Sequence, residues 1–271
     1  MKYSFIGTGV MSEAIIAGLL HQKLVTPGQI VGSHPRPARR DELSAKYGIT
    51  MFESNHKAAS TGSRLLLTVK PQRLNTVLHE LKGGIREDHL VMSIVAGAKM
   101  ETIGSILKHK AIVRAMPNTP AQIGQGITAW TATPEVSKAQ EEEVSTIFGA
   151  LGKTIRVENE KQIDMATALS ATGPTYVFLV MEALIDAGVH LGFSRHVAQE
   201  LVCQMMLGSV SFAQESQKHP AELRNMVTSP GGTSAEAIYQ MEKGGLRTVL
   251  SKAVWAAYKK AVALGVDGSI A

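Results

Sequence analysis

The chain has 271 residues, 44% hydrophobic and 19% charged, a composition that excludes a disordered chain and predicts one or two compact domains with a sizeable core. The net charge of +5 is spread along the sequence apart from Arg36, Arg39 and Arg40, a cluster better suited to a phosphate than to a duplex, so no nucleic-acid partner is expected. No apolar run is expected to span a membrane, and the opening residues enter a glycine turn without room for a signal peptide. The expectation is therefore a cytoplasmic protein with no membrane partner. The single cysteine, Cys203, excludes an internal disulfide and reads as a buried core thiol; no metal site is expected.

Short β-rich runs at Lys2 to Ile6, Gln29 to Val31, Thr50 to Phe52, Leu65 to Val69, Val91 to Ile94 and Ile112 to Met116 alternate with longer mixed segments. Several are continuously apolar, as strands buried on both faces are. Weaker runs at Gly126 to Thr131 and Lys153 to Val157 flank a helical stretch from Glu135 to Leu151. The pattern predicts an α/β fold, a doubly wound parallel sheet over residues 1–160. From residue 161 to 271 long helical periodicities take over: Ile163 to Ala171, Tyr176 to Leu191, Arg195 to Gln217, Ser234 to Lys243 and Leu246 to Leu264. Residues Val266 to Ala271 read as a loose tail. The apolar faces of this helical half, with Leu201, Val202, Met205, Met206, Val210 and Phe212, are broad for so small a domain and predict self-association.

Gly7-Thr8-Gly9-Val10-Met11-Ser12 follows the first strand and opens a helix, the context in which a glycine fingerprint binds a dinucleotide, as in Rossmann-like domains. Gly7 permits the tight turn, Gly9 lets backbone approach a pyrophosphate, and Val10 and Met11 lead into a helical pattern from Glu13 to Leu20 whose N-terminus favours an anion. Ser12 replaces the usual third glycine. After the second strand, Val31 to Arg36 offers no acid to hold free ribose hydroxyls, which points to NADPH, with Ser33 and Arg36 on the 2′-phosphate and NADH as the alternative. Arg39 and Arg40 are open to the same role or to a solvated helix face. The strand ends at Val69-Lys70-Pro71 and Ala96-Gly97 fall where an open α/β sheet places its ligand crevice.

The blocks Gly7-Thr8-Gly9, Val69-Lys70-Pro71-Gln72, Ala96-Gly97, Met116-Pro117-Asn118-Thr119-Pro120, Gly173-Pro174 and Val227-Thr228-Ser229-Pro230-Gly231-Gly232-Thr233-Ser234 resemble the pyrroline-5-carboxylate reductase family, in its order and over nearly the whole chain. The resemblance implies reduction of 1-pyrroline-5-carboxylate to L-proline by NADPH, in a homodimer formed through the helical domain and open to further assembly, with one chain's substrate loop near its partner's cofactor. It implies that Asn55 contacts the phosphorylated ribose and that Val69, Lys70, Pro71, Ala96, Gly97, Met116, Pro117 and Asn118 line the cofactor. It implies further that Ser229, Gly231, Gly232, Thr233 and Ser234 form the substrate loop, whose amides hold the substrate carboxylate while the Ser234 hydroxyl meets the ring nitrogen.

Two departures stand out. Ser170-Ala171-Thr172-Gly173-Pro174-Thr175-Tyr176 replaces a pattern similar to Ser-Gly-Ser-Gly-Pro-Ala-Tyr, and Ser234 stands where the family has threonine. Reduction of a related cyclic imino acid is therefore the alternative. A cyclic imine protonates readily, so its reduction needs position and electrostatics more than a strong acid. Gly231 and Gly232 are expected to present consecutive amides to the carboxylate. A β-hydroxyacid dehydrogenase would carry a lysine followed closely by asparagine; here Lys161 is followed by Gln162, Ile163, Asp164 and Met165. A non-catalytic NADP(H) sensor is the rival of another class, disfavoured by the intact 229–234 loop.

Overall fold

Unbroken apolar runs become the central strands of one sheet in the computed structural model, which describes residues 2–266. The strands are β1 (Tyr3–Ile6), β2 (Ile30–Ser33), β3 (Thr50–Phe52), β4 (Arg64–Leu67), β5 (Leu90–Ser93), β6 (Ile112–Met116), β7 (Gly126–Ala132) and β8 (Gly152–Arg156). Their order is β3-β2-β1-β4-β5-β6-β7-β8, with β1 to β6 mutually parallel. β7 runs antiparallel to β6, and β8 runs parallel to β7. The second strand begins at Ile30 rather than Gln29 because Thr26 and Gln29 close a capping box around Pro27-Gly28-Gln29, and the strand gains Ser33.

Helices α1 (Val10–His21), α2 (Pro37–Tyr47), α3 (Asn55–Thr61), α4 (Pro71–Leu81), α5 (Met100–Leu107), α6 (Lys138–Gly149) and α7 (Glu160–Ala166) accompany the sheet. Alternate strand residues feed two cores. Phe5, Leu66, Met92 and Val113 join Ile15, Ile16 and Phe148, whereas Ile6, Leu65, Leu67 and Ile112 join Leu74, Leu78 and Ile103. Glu13 on α1 docks α2, accepting hydrogen bonds from Arg39, Lys46 at 2.8 Å and Tyr47 at 2.9 Å. Burial works against ionisation of Glu13, but Lys46, Arg39 and Tyr47 outweigh it and bring its carboxyl from 4.5 down to about 2.

The chain divides into two compact units, 2–174 with 256–266, and 175–255. The division expected at 160/161 differs by a segment held by charge. Arg114, fully buried in β6, pairs with Asp164 at 2.5 Å and with Glu160 at 3.3 Å, and Glu160 also accepts the Met100 amide at 2.9 Å. With Ile163 buried, α7 belongs to the sheet unit. Residues Thr167–Ala171 then widen into a π turn in which the Thr172 amide and hydroxyl both donate to the Thr167 carbonyl, at 2.9 and 2.8 Å. Pro174, which has no N–H to return to an earlier carbonyl, follows this turn directly.

The second unit is helical: most of α8 (Gly173–His190), then α9 (Arg195–Ser216), α10 (Pro220–Met226), α11 (Thr233–Lys243) and the start of α12 (Leu246–Val266). The seven-residue α10, started by Pro220 after the His219 cap, has too few turns to register as a periodicity. Within 175–255 only Ala198 and Val202 are buried; Leu201, Met205, Val210 and Phe212 are exposed and Met206 is half-buried, as is Cys203, contrary to its reading as a core thiol. The expectation that no apolar run reaches spanning length also fails: Glu160–His190 contains an 18-residue window of mean hydropathy 1.4, long and apolar enough to cross a membrane by length and composition alone. Val266 closes α12, and the rest of the expected tail, 267–271, lies outside the described residues.

Two predictions follow from these ion pairs. Arg114→Ala leaves two carboxylates at a buried site, and urea unfolding is expected to show a loss of about 3–5 kcal/mol; a loss below about 1 kcal/mol makes the pair dispensable to the fold. For Glu13, the folded value lies below the unfolded one, so its contribution is complete above about pH 4.5 and drains away as the pH falls toward 2. Glu13→Gln is expected to flatten the stability profile across that window, as measured by unfolding at stepped pH, while an unchanged slope removes Glu13 from acid sensitivity.

Candidate active site

The carboxyl ends of the six parallel strands lie side by side, with Ile6 in register with Ser33 and Leu67, Ser33 with Phe52, and Leu67 with Ser93. The loops that follow therefore share one sheet edge. Gly7 sits at φ 87°, and a Cβ there would meet Val69 Cγ1 at 2.4 Å, so the turn admits no other residue without displacing Val69. The Ser33 carbonyl accepts from the Gly7 amide at 3.2 Å, the Thr8 amide at 3.1 Å and the Thr8 hydroxyl at 3.2 Å. Thr68 Oγ1 closes the other side, donating to the carbonyls of Ile6 and Gly7 at 3.0 and 2.9 Å. Above Gly9 a Cβ would meet nothing within 4 Å. Gly9 is the N-cap of α1 and has no side chain with which to cap it, and among the described residues no carbonyl meets the amides of Val10 or Met11. Open space over uncapped amides suits a pyrophosphate.

Of the three arginines, one has no side-chain partner among the described residues. Arg39 is committed to Glu13, to Glu42 at 2.8 Å and to the Thr8 carbonyl at 3.3 Å; Arg40 donates to the carbonyls of His34 and Pro35 at 2.8 and 2.9 Å and lies 3.7 Å from Glu53. Neither forms a solvated helix face, one of the two readings the sequence leaves open. Arg36, the exposed N-cap of α2, has no side-chain partner among the described residues. Its amide donates to His34 Nδ1 at 3.2 Å, and burial, reinforced by the three arginines, holds His34 below its ordinary value. Ser33 is buried and its hydroxyl donates to Asn55 Oδ1 at 2.7 Å, while Asn55 Nδ2 donates to Glu80 Oε2 at 2.6 Å.

Lys70 is the exposed N-cap of α4, with Pro71 at its first position. Ala96 is half-buried. Gly97, at φ 75°, is buried against the end of α12, where a Cβ would meet Leu264 Cβ at 2.7 Å and the Gly265 amide nitrogen at 3.0 Å. Met116 and Pro117 are buried at the end of β6. Asn118 works inside the protein, its Oδ1 accepting the Ile127 amide at 2.9 Å and its Nδ2 lying 3.5 Å from Ser170 Oγ. Glycine-turn residues, Ser33, Arg36, Asn55, Val69, Lys70, Pro71, Ala96, Gly97, Met116, Pro117 and Asn118 thus all lie at the ends of parallel strands or the starts of the segments after them.

In the second unit, Ser229, Gly231, Gly232, Thr233 and Ser234 join α10 to α11. Thr228 Oγ1 donates to the Arg224 carbonyl at 2.6 Å and ends α10. The expected pair of consecutive open amides at Gly231 and Gly232 is not formed, because the Gly232 amide is committed to the Ser229 carbonyl at 3.1 Å. Gly231 takes φ 68° to make that turn. Gly232 caps α11 without a side chain, and among the described residues no carbonyl meets the amides of Thr233 or Ser234, nor does any group meet the Ser234 hydroxyl. The open donors are therefore shifted one residue along, into the first turn of an eleven-residue helix. Such a turn binds a carboxylate.

Thr8, Thr68 and Glu80 were not singled out from the sequence. Thr68 directly follows β4 and Thr8 stands two residues past β1, a usable signal; Glu80 lies 25 residues from its partner and carries none. Among the described residues no group of His, Cys, Asp and Glu is placed to hold a metal ion.

Two family models match the chain: pyrroline-5-carboxylate reductase dimerisation over residues 160–264, and NADP oxidoreductase, coenzyme F420-dependent, over residues 2–97. The chain is 42% identical to the pyrroline-5-carboxylate reductase of Synechocystis sp., covering 98% of both chains, and 36% identical to that of Escherichia coli, covering 93% of this chain and 94% of that one. Among solved structures, Plasmodium falciparum pyrroline carboxylate reductase with NADP bound matches with a TM-score of 0.89 at 30% identity over 98% of each chain. The Coxiella burnetii pyrroline-5-carboxylate reductase matches with a TM-score of 0.88 at 36% identity, over 97% of this chain and 98% of that one. With a sheet edge suited to a dinucleotide, an uncapped helix start after Gly232 and relatives of this identity over nearly the full length, the chain belongs to the pyrroline-5-carboxylate reductase family.

Proposed function

We propose that this chain reduces the C=N bond of 1-pyrroline-5-carboxylate to give L-proline, the last step of proline biosynthesis, with NADPH as the preferred and NADH as a second reductant. The observation that carries the substrate half is the 229–234 loop, with the Thr233 and Ser234 amides and the Ser234 hydroxyl left without partners among the described residues. The cofactor half rests on the open space above Gly9 and the uncapped start of α1. When bound, the reduced dinucleotide supplies hydride to the imine carbon.

The residues divide the remaining work. Gly7, Gly9, Val10 and Met11 hold the pyrophosphate by backbone. Arg36 and Ser33 hold the 2′-phosphate, with Asn55 on the ribose. Val69, Lys70, Pro71, Ala96, Gly97, Met116, Pro117 and Asn118 form the remaining wall. Thr233 and Ser234 amides, backed by the partial positive charge of α11, fix the substrate carboxylate; Ser229, Gly231 and Gly232 shape the turn that presents them. The Ser234 hydroxyl hydrogen-bonds the ring nitrogen, donating to the neutral imine or accepting from the protonated one, and so sets the ring's orientation. The exposed apolar side chains of 175–255 support a homodimer through the helical unit. A cytoplasmic location suits the unpaired Cys203.

Purified protein is expected to consume NADPH with 1-pyrroline-5-carboxylate faster than with six-membered or sulfur-containing cyclic imino acids; a preference for one of those substitutes the alternative that Ala171 and Thr175 raise, and no consumption with any of them leaves a dinucleotide sensor. Ser234→Ala is expected to lower turnover at least about tenfold with little change in NADPH affinity; wild-type turnover excludes the hydroxyl from the reaction. Arg36→Ala is expected to raise the Kd for NADPH about tenfold and leave that for NADH unchanged, and equal effects on both remove Arg36 from the 2′-phosphate.

A further inference from the structure

No acid follows the second strand in sequence, yet the structure brings one to its end. Ser33, the last residue of β2, donates to Asn55 Oδ1 at 2.7 Å, and Asn55 Nδ2 donates at 2.6 Å to the carboxylate of Glu80, which arrives from α4. Dinucleotide sites that take NAD place a carboxylate at this end of the second strand to accept the free ribose hydroxyls, and sites that take NADP place a cation there. Here both are present, since the unpaired Arg36 follows Ser33 by three residues. Other charges after the second and third strands are paired: Glu53 lies 3.7 Å from Arg40, and Arg39 is bound to Glu13 and Glu42. Among the described residues Glu80 is in no ion pair, and it is exposed, so its charge acts outward rather than being cancelled inside the protein.

We propose that Glu80 is a specificity-determining residue of the dinucleotide site: the carboxylate opposes a 2′-phosphate and favours free ribose hydroxyls, so that the chain accepts both NADPH and NADH. This rests on the reading of the sheet edge as the dinucleotide site. Glu80 also fixes the Asn55 amide with its nitrogen turned to the carboxylate and its oxygen to Ser33, which is a positioning role separable from the charge. Glu80→Gln keeps an acceptor for Asn55 and removes the charge, whereas Glu80→Lys reverses it.

Direct titration of NADPH and of NADH, followed by nicotinamide fluorescence or calorimetry, separates these roles without turnover. In Glu80→Gln the ratio of Kd for NADH to Kd for NADPH is expected to rise about three- to tenfold, further in Glu80→Lys, and the rise is expected to shrink in about 0.5 M salt because an exposed charge is screened. A ratio that stays constant, or two affinities that shift by the same factor, overturns the proposal and leaves Glu80 as an orienting group for Asn55. Failure of the wild-type protein to bind either dinucleotide overturns the underlying reading of the site instead.

Discussion

One carbonyl oxygen organises the cofactor half of this protein. Ser33 O takes the amides of Gly7 and Thr8 and the Thr8 hydroxyl, and so ties the turn after the first strand to the end of the second. The rest of the edge depends on that tie. With the turn drawn over, Gly7 must lie against Val69, leaving no room for a side chain, and α1 must start with its uncapped amides facing the space above Gly9. The same residue's hydroxyl reaches Asn55, so the last residue of a four-residue strand ties both the glycine turn and the start of α3 to one point. Thr68 repeats the device from β4 by holding the carbonyls of Ile6 and Gly7. Backbone geometry of this kind costs nothing to reorganise when an anion arrives.

The helical unit obeys a different constraint. A segment of some eighty residues that buries only Ala198 and Val202 cannot draw a stable fold from its own core. Phe178, Leu179, Leu207 and Val249, all more than half exposed in the single chain, need a second surface, and residues 160–264 match a dimerisation family. The run that passes as a membrane span by length and composition overlaps this segment, and a helix apolar on several sides is equally what a helix enclosed by other helices requires. Homo-oligomerisation is thus a condition for the unit's stability as well as a property of the family.

The sheet was largely legible in the sequence because buried parallel strands are written as apolar runs and the glycine turn has few physical alternatives. The antiparallel direction of β7 was not, since nothing local distinguishes it from another parallel strand. Arg114 did break an apolar run, a sign of a buried partner, but its partners lie 46 and 50 residues away and only folding names them. That pair also explains why 161–174 stays with the sheet despite its helical pattern. In the 229–234 loop the amides expected to be open are not the ones the fold leaves open: Gly231 can adopt the left-handed turn, and the turn then spends the Gly232 N–H on Ser229. Composition reveals which residues permit a turn, whereas the hydrogen bond that the turn consumes depends on its realised geometry.

Perturbed titratable groups commonly mark catalytic sites, but here the larger shifts mark joints of the fold. Glu13, brought down to about 2, fastens α2 to α1, and Tyr3, pushed up to about 12 by burial and by Glu143, fastens β1 to α6. Burial also lowers His89, the residue directly before β5. The loop proposed to meet the substrate carries hydroxyls and amides instead of a tuned acid or base. This division follows from the chemistry: an imine is basic enough to acquire its own proton, so a residue with a displaced pKa would add little, while a fixed carboxylate anchor and an oriented ring nitrogen determine which carbon is presented for reduction. The strong electrostatics of the chain are therefore invested in fastening helices to the sheet and to one another, and the proposed substrate loop is left to groups that hold position without titrating.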